Sequence, residues 1–210
     1  MITDQQIEEF LSYAHKVGDA GLTVCSSGNL SVRSGDEVMI SGTGSWVPCL
    51  TADKVSICRF SDGEILNGVR PSIESVFHLG VMRERPEIGC VLHFQSPYAT
   101  AIACRKELPA TLNFTAEEPI HVGANVPMIP YYRPGSPELA TAVIEAMKDH
   151  NSVILRKHGQ VVCGVDFKQA FERAMFLEMA CRIAVLNGSN VDPLTDAEIA
   201  DLDIYINGKK

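Results

Sequence analysis

Residues 91–95 read Val91-Leu92-His93-Phe94-Gln95. With Cys90 ahead of them they form a short, almost wholly apolar run, the pattern of a strand buried on both faces. Side chains alternate along a strand, so Leu92 and Phe94 take one face while His93 and Gln95 share the other and reach toward one point. An imidazole and a carboxamide on one buried face are either packed core polar groups or one wall of a site. The rest of the chain has to decide which.

Working outward, Thr3 with Gln6 resembles a capping box, and Ile7, Phe10, Leu11, Ala14 and Val17 recur at helical spacing. Leu30–Arg33 and Val38–Ile40 flank the turn Ser34-Gly35-Asp36-Glu37, which predicts a hairpin. Val55–Phe60 alternates as a strand and turns at Ser61-Asp62-Gly63 into Glu64-Ile65-Leu66. A helix is expected from Ser72 to just before Pro86, with Val76, Phe77 and Val81 on its apolar side. Pro97–Cys104 predicts a short helix, and Met128–Tyr131 a strand that Pro130 confines to an edge or a bulge. Ser136-Pro137-Glu138 opens a helix to Lys148. Val153–Leu155 and Val161–Cys163 predict strands bracketing His158, and Asp166 with Gln169 caps a long helix to about Leu186. The polar, acidic tail after Gly188 is expected to pack loosely or against a partner subunit. Strands and helices alternate while the early strands pair as hairpins. The prediction is one α/β domain, residues 1–210, with a mixed, mostly antiparallel central sheet and helices on both faces.

Composition excludes several functions. The chain has 210 residues, 46% hydrophobic and 21% charged, with formal net charge −8. That is enough for a full core and leaves no basic footprint for nucleic acid. The seven cysteines fall in no C-x-x-C spacing, so neither a disulfide framework nor a zinc finger is indicated. No signal peptide and no run long enough to span a bilayer is visible, so a reducing cytoplasm is the expectation.

Two sets of residues can carry chemistry. Cys25-Ser26-Ser27-Gly28-Asn29 and Ser41-Gly42-Thr43-Gly44-Ser45 are small, hydroxyl-rich and glycine-rich. Such loops let backbone N–H groups approach an anion, and Ser72, expected at a helix start, would add to them. Taken singly, each is also an ordinary turn. No Walker or Rossmann spacing occurs, so a nucleotide is not indicated. The second set is Glu74, His93 with Gln95, and His158 between two apolar strands, residue types suited to one metal ion. His78, four residues after Glu74 on the same helix face, reads as a packing group or one behind the ligands. His121 is a further candidate ligand or acid–base group.

In order along the chain, Ser27-Gly28-Asn29-Leu30-Ser31-Val32-Arg33, Ile40-Ser41-Gly42-Thr43-Gly44, Pro71-Ser72-Ile73-Glu74, Val91-Leu92-His93, Pro97-Tyr98-Ala99-Thr100-Ala101 and His158-Gly159 resemble the class II aldolase/adducin family. The resemblance runs from about Gly21 to Leu186 and implies that family's three-layer fold. It also implies that Gly28, Asn29, Thr43, Gly44, Ser72 and Ile73 cradle a substrate phosphate. Glu74 would be the general acid/base. Zinc, or another divalent metal, would be held at the positions of His93, Gln95 and His158, with Glu74 near it. The family further implies a homotetramer with active sites between subunits, acting on a small sugar phosphate without nucleic acid or membrane. Three positions depart from the pattern. Ile73 stands where the fuculose-phosphate enzymes carry a second serine, Gln95 where a histidine ligates zinc, and Phe114 aligns loosely with the family's tyrosine acid.

The leading expectation from this resemblance is aldol cleavage of a ketose 1-phosphate, L-fuculose 1-phosphate above all, to dihydroxyacetone phosphate and L-lactaldehyde. Glu74 would move the proton to or from the enediolate. The alternative keeps the site but ends in decarboxylation or epimerisation, since Pro130-Tyr131-Tyr132-Arg133-Pro134-Gly135-Ser136 resembles the stretch of family members that act on four-carbon acid phosphates. There Arg133 could bind a carboxylate. A third reading is a non-catalytic binding module of the adducin type.

Overall fold

In the computed structural model, which describes the backbone of residues 1–207 and the side chains of residues 1–202, residues 90–94 form the middle strand of a seven-stranded sheet. The strands are β1 (Asn29–Ser34), β2 (Glu37–Ser41), β3 (Val55–Arg59), β4 (Cys90–Phe94), β5 (Met128–Ile129), β6 (Ser152–Leu155) and β7 (Gly159–Gly164). They lie in the order β3-β2-β1-β4-β7-β6-β5. Every pairing is antiparallel except that of β5 with β6. The hairpin pairs Ser34 with Glu37 around Gly35, whose φ is 61°, a backbone glycine adopts without strain.

Helices α1 (Asp4–Asp19), α3 (Pro97–Ala103) and α5 (Phe167–Asn187) cover one face of the sheet; α2 (Ser75–Glu84) and α4 (Pro137–Ala146) cover the other. The alternation along β4 divides between these layers. Cys90, Leu92 and Phe94 pack with Phe10, Ile102 and Leu177, while Val91 packs with Phe77, Val81 and Val143. His93 is in phase with Val91 and therefore falls on the α2/α4 side. The mixed sheet between two helical layers is the predicted architecture.

Local signals worked where they were strong. Thr3 accepts from Gln6 N–H and Gln6 returns the bond to Thr3 N–H, the reciprocal cap at the start of α1. Asp166 accepts from Gln169 N–H ahead of α5. Among the described residues no helix is long and apolar enough to cross a membrane, and all seven cysteines are free thiols.

Three expectations need correction. Helix α2 begins at Ser75, not Ser72. Ser72 donates its N–H to Ser41 O, and Pro71 bridges Gly42, so this stretch is held extended beside β2. Val76 is 60% exposed and lies off the buried side of α2. Residues 64–66 do turn back beside β3 as read: Arg59 N–H donates to Glu64 O, Leu66 N–H to Ile57 O, and Ile65 bridges Cys58. The tail after Gly188 contains a helix, α6 (Asp196–Asn207), whose approach donates Leu194 N–H to Asn113 O. Its start was legible: Glu198 N–H donates to Thr195 Oγ1, and Thr195 N–H to Glu198 Oε2, which is the capping box of Thr195-Asp196-Ala197-Glu198.

Helix α2 is joined to β1 by a fully buried histidine. His78 Nδ1 lies 2.7 Å from Ser31 Oγ, and Nε2 lies 2.5 Å from Asn29 Oδ1. Desolvation, aided by the His93 ring and opposed by Glu74, pushes its pKa down to about 3. The folded value is below the unfolded one of about 6.5, so the unfolded chain binds the extra proton. Stability from this group is complete above about pH 6.5 and is lost as pH falls toward 3. We predict a stability loss across that window of up to ~1.4 kcal/mol per pH unit from His78 alone. Denaturant unfolding of wild type and His78→Gln between pH 7 and 4 measures it; the variant should show the shallower pH dependence.

Candidate metal and phosphate site

Three elements converge at the end of β4. Strand β1 sets Asn29 opposite His93 in the antiparallel register. The turn between β6 and β7 carries His158, with Lys157 at φ 55° beside it. Gly159 follows because a Cβ there would lie 2.5 Å from Phe94 O and 2.7 Å from Gln95 Cγ. Glu74 stands just ahead of α2 and is 5% exposed. Gln95 lies one residue beyond β4, its N–H donated to Leu22 O, and its side chain still turns to the His93 side.

The distances define a cluster. His93 Nε2 is 3.4 Å from Glu74 Oε2, and His158 Nε2 is 3.7 Å from Glu74 Oε1. One donor atom from each of the three residues lies within 4.8 Å of the others. The carbonyl of Gln160 accepts from His93 Nδ1–H at 2.9 Å, so Nε2 is the ring nitrogen turned to the carboxylate. A positive charge, proton or cation, belongs between these two atoms. Glu74 Oε1, Gln95 Oε1 and His158 Nδ1 are buried without a hydrogen-bond partner, which is costly unless something else satisfies them.

The protonation states suit a cation. Burial pushes the Glu74 carboxyl up, but the His93 ring, the Asn29 hydrogen bond and His158 outweigh it and leave it below the ordinary value. Burial, with the His93 ring, pushes His158 down to about 4 against the pull of Glu74. At neutral pH Glu74 is therefore a carboxylate and His158 a neutral imidazole, the forms that ligate metal. On donor chemistry and on its orphaned atoms the set fits a divalent ion. Gln95 Nε2 sits 3.4 Å from His93 Nε2, placing its carboxamide at the edge of the cluster.

The cluster floors a cavity of about 310 Å³ whose wall also includes Ser26, Gly28, Thr43, Gly44, Ser72 and Ile73. The predicted cradle residues are thus brought together, with different hydrogen-bonding duties. Thr43 N–H is given to Arg70 O and Ser72 N–H to Ser41 O, while the Ser72 hydroxyl accepts from Glu74 N–H at 3.3 Å. The N–H groups of Gly28, Gly44 and Ile73 carry no hydrogen bond among the described residues. Asn29 also lines the cavity, but its Nδ2 donates to Glu74 Oε2 at 2.9 Å and its Oδ1 meets His78. Its side chain is committed to the protein. The wall holds no Lys or Arg among the described residues, so an anion here relies on N–H groups, hydroxyls and a nearby cation.

Other candidates lie elsewhere. His121 sits in the π-helical turn Glu118–Val122, stacked on Phe176 and 3.3 Å from Glu117, outside the cavity wall. Phe114 packs against the α1/α3/α5 core. Arg133 is exposed, while its neighbour Pro134 lines the cavity.

Comparison with known proteins gives a concordant result. The Class II Aldolase and Adducin N-terminal domain matches residues 8–185. The 3-oxo-tetronate 4-phosphate decarboxylase of Haemophilus influenzae is 36% identical over 190 residues, 88% of this chain and 90% of that protein. The L-fuculose phosphate aldolase of Methanocaldococcus jannaschii is 30% identical over 181 residues, covering 86% and 96%. Among solved structures, YgbL of Escherichia coli, described as an aldolase/epimerase/decarboxylase, superposes with a TM-score of 0.88 at 32% identity over 94% of this chain and 97% of that one.

Proposed function

The chain belongs to the class II aldolase and adducin family, and from that premise we propose that it is a metal-dependent lyase that decarboxylates 3-oxo-tetronate 4-phosphate to dihydroxyacetone phosphate. The observation that carries this reading is the 36% identity to a decarboxylase of that substrate, spread over 88% of the chain. It takes precedence over the ketose 1-phosphate cleavage expected from sequence.

The chemistry explains how one site serves both reactions. In the four-carbon acid the carboxylate is β to the C3 ketone. The bond from C1 to C2 breaks, its electron pair passes into the ketone, CO2 departs, and a proton from solvent closes C2. Aldol cleavage of a ketose 1-phosphate leaves the same enediolate of dihydroxyacetone phosphate. Only the departing group differs. An aldehyde leaves from an alcohol that must first lose its proton, so aldol cleavage needs a further base, whereas CO2 carries no proton to remove. Phe114, at the position the resemblance gives to the tyrosine acid, has none to exchange. That favours the decarboxylase reading.

Glu74, His93 and His158 would hold a divalent cation, which when bound supplies positive charge beside the oxygen where negative charge develops. Gln95 would add a carboxamide oxygen, a harder donor than imidazole, which suits oxygen-preferring metals better than zinc. Glu74 would pass the solvent proton to C2, helped by its placement inside a water-poor pocket. The N–H groups of Gly28, Gly44 and Ile73 and the hydroxyls of Thr43 and Ser72 would bind the phosphate, fixing the reacting carbons relative to Glu74. The homotetramer of the resemblance belongs to this reading; Trp46, Ile73 and Val76, exposed beside cavity residues, offer apolar surface for it.

The test is a competition between substrates. With purified, metal-supplemented protein, 3-oxo-tetronate 4-phosphate should show kcat/KM at least about 100-fold above that of L-fuculose 1-phosphate, a difference of ~2.7 kcal/mol in transition-state binding. Turnover of the ketose phosphate alone would return the assignment to an aldolase.

A further inference from the structure

His78 is buried, lies outside the cavity wall, and touches neither substrate space nor the metal cluster directly. Yet it stands at the head of an ordered chain of hydrogen bonds. Ser31 Oγ lies 2.7 Å from His78 Nδ1, His78 Nε2 lies 2.5 Å from Asn29 Oδ1, and Asn29 Nδ2 lies 2.9 Å from Glu74 Oε2. The direction of each bond follows from chemistry. Glu74 accepts, so the end of Asn29 facing it is the NH₂. The other end is then a carbonyl oxygen, which can only accept. His78 must therefore carry its one ring proton on Nε2, and Nδ1 accepts from the Ser31 hydroxyl. Nothing else among the described residues bonds the Asn29 side chain.

We propose that His78 is a positioning residue: its Nε2–H locks the Asn29 amide so that Nδ2 faces Glu74, tying down Oε2 and leaving Oε1 as the oxygen without a protein hydrogen bond. An asparagine amide is nearly symmetric in shape, so packing alone does not distinguish its two orientations. The wrong one would set Oδ1 against the carboxylate and misplace the group that carries the proton. With Nδ1 bare, the Ser31 hydroxyl donates to it at 2.7 Å rather than to Val91 O, its other acceptor at 3.4 Å.

This rests on Glu74 as the proton carrier, so the experiment has one arm that needs no substrate. Histidine-¹⁵N NMR of the wild-type protein at pH 7 reads the tautomer, with His78 identified by the signal lost in His78→Gln. A protonated Nε2 and a bare Nδ1 are expected, and the opposite tautomer overturns the proposal whatever the reaction proves to be. The second arm is kinetic. His78→Leu should lower kcat about tenfold or more, equivalent to ~1.4 kcal/mol or more, with little change in KM. His78→Gln, which can donate to Asn29 Oδ1, should recover most of that. In an Asn29→Ala background, His78→Leu should cost less than about twofold further, because the route through Asn29 is already gone. An equal loss in both backgrounds would make His78 merely structural and overturn the proposal. If the leucine variant does not fold, the tautomer and the glutamine variant still decide.

Discussion

Glu74→Gln should fold, keep its metal and lose turnover by about 10²–10⁴-fold, the range a positioned general acid–base group supplies. The substitution is nearly isosteric. The side chain is 5% exposed and takes one hydrogen bond from Asn29, which a glutamine oxygen accepts equally well. What it removes is a proton carrier whose ordinary pKa is lowered by His93, Asn29 and His158 despite burial. Steady-state kinetics beside a thermal melt separate the two effects: kcat should collapse while the melting temperature moves by no more than a few degrees. Unchanged turnover would mean that another group handles the proton and that Glu74 only ligates.

Gly28→Ala should destabilise the fold strongly at the entry to β1. Gly28 has φ 77°, and a Cβ there would lie 2.6 Å from Thr23 Cγ2 and 2.8 Å from His93 O. The left-handed backbone costs an alanine about 1–2 kcal/mol. The contact with a central-strand carbonyl adds an overpacking penalty of about 1–3 kcal/mol. Together they predict destabilisation of about 2–5 kcal/mol, at ~2–4 °C per kcal/mol for a chain this size. Because the Gly28 N–H lines the cavity, KM for the phosphate substrate should rise as well. Calorimetry and kinetics on the variant check both, and a melting temperature within about 1 °C of wild type would refute the clash.

The fold was legible because its signals are local and strong. The alternation through Val91–Gln95, the hairpin around Gly35 and the caps at Thr3, Ser136 and Asp166 all appear where read. The start of α2 was missed because Ser72 looks like a cap. It is instead held by Ser41 O, a long-range bond that no local pattern announces. The site was legible as a set of residue types but not as a set of duties. Residue type and the family resemblance brought Glu74, His93 and His158 under suspicion, and the structure gathers them within 4.8 Å. The sequence could not show that Asn29 is spent on Glu74 and His78 rather than left for phosphate. The hydrogen bond between residues 29 and 78 joins a strand to a helix across 49 positions.

The reaction was the least legible layer. Gln95, Ile73 and Phe114 each departed from the fuculose-phosphate pattern in sequence: Gln95 concerns the metal, Phe114 the leaving group and Ile73 the phosphate contact, and none concerns the enediolate. The 36% identity to a 3-oxo-tetronate 4-phosphate decarboxylase, against 30% to an L-fuculose phosphate aldolase, supports the alternative better than the aldolase that the resemblance put first. A non-catalytic module is the weakest reading, since Glu74, His93 and His158 survive with two buried atoms still lacking partners, Glu74 Oε1 and His158 Nδ1.

The proposed reaction requires that those three side chains hold a cation. Elemental analysis of protein purified without chelator, paired with melts in added zinc or manganese, tests this most directly. The account predicts about one divalent ion per chain, a rise in melting temperature on metal addition equivalent to ~2.7 kcal/mol at 100 times the dissociation constant, and loss of both in His93→Ala and His158→Ala. Metal-free protein whose melting temperature stays fixed as zinc or manganese is added would contradict it.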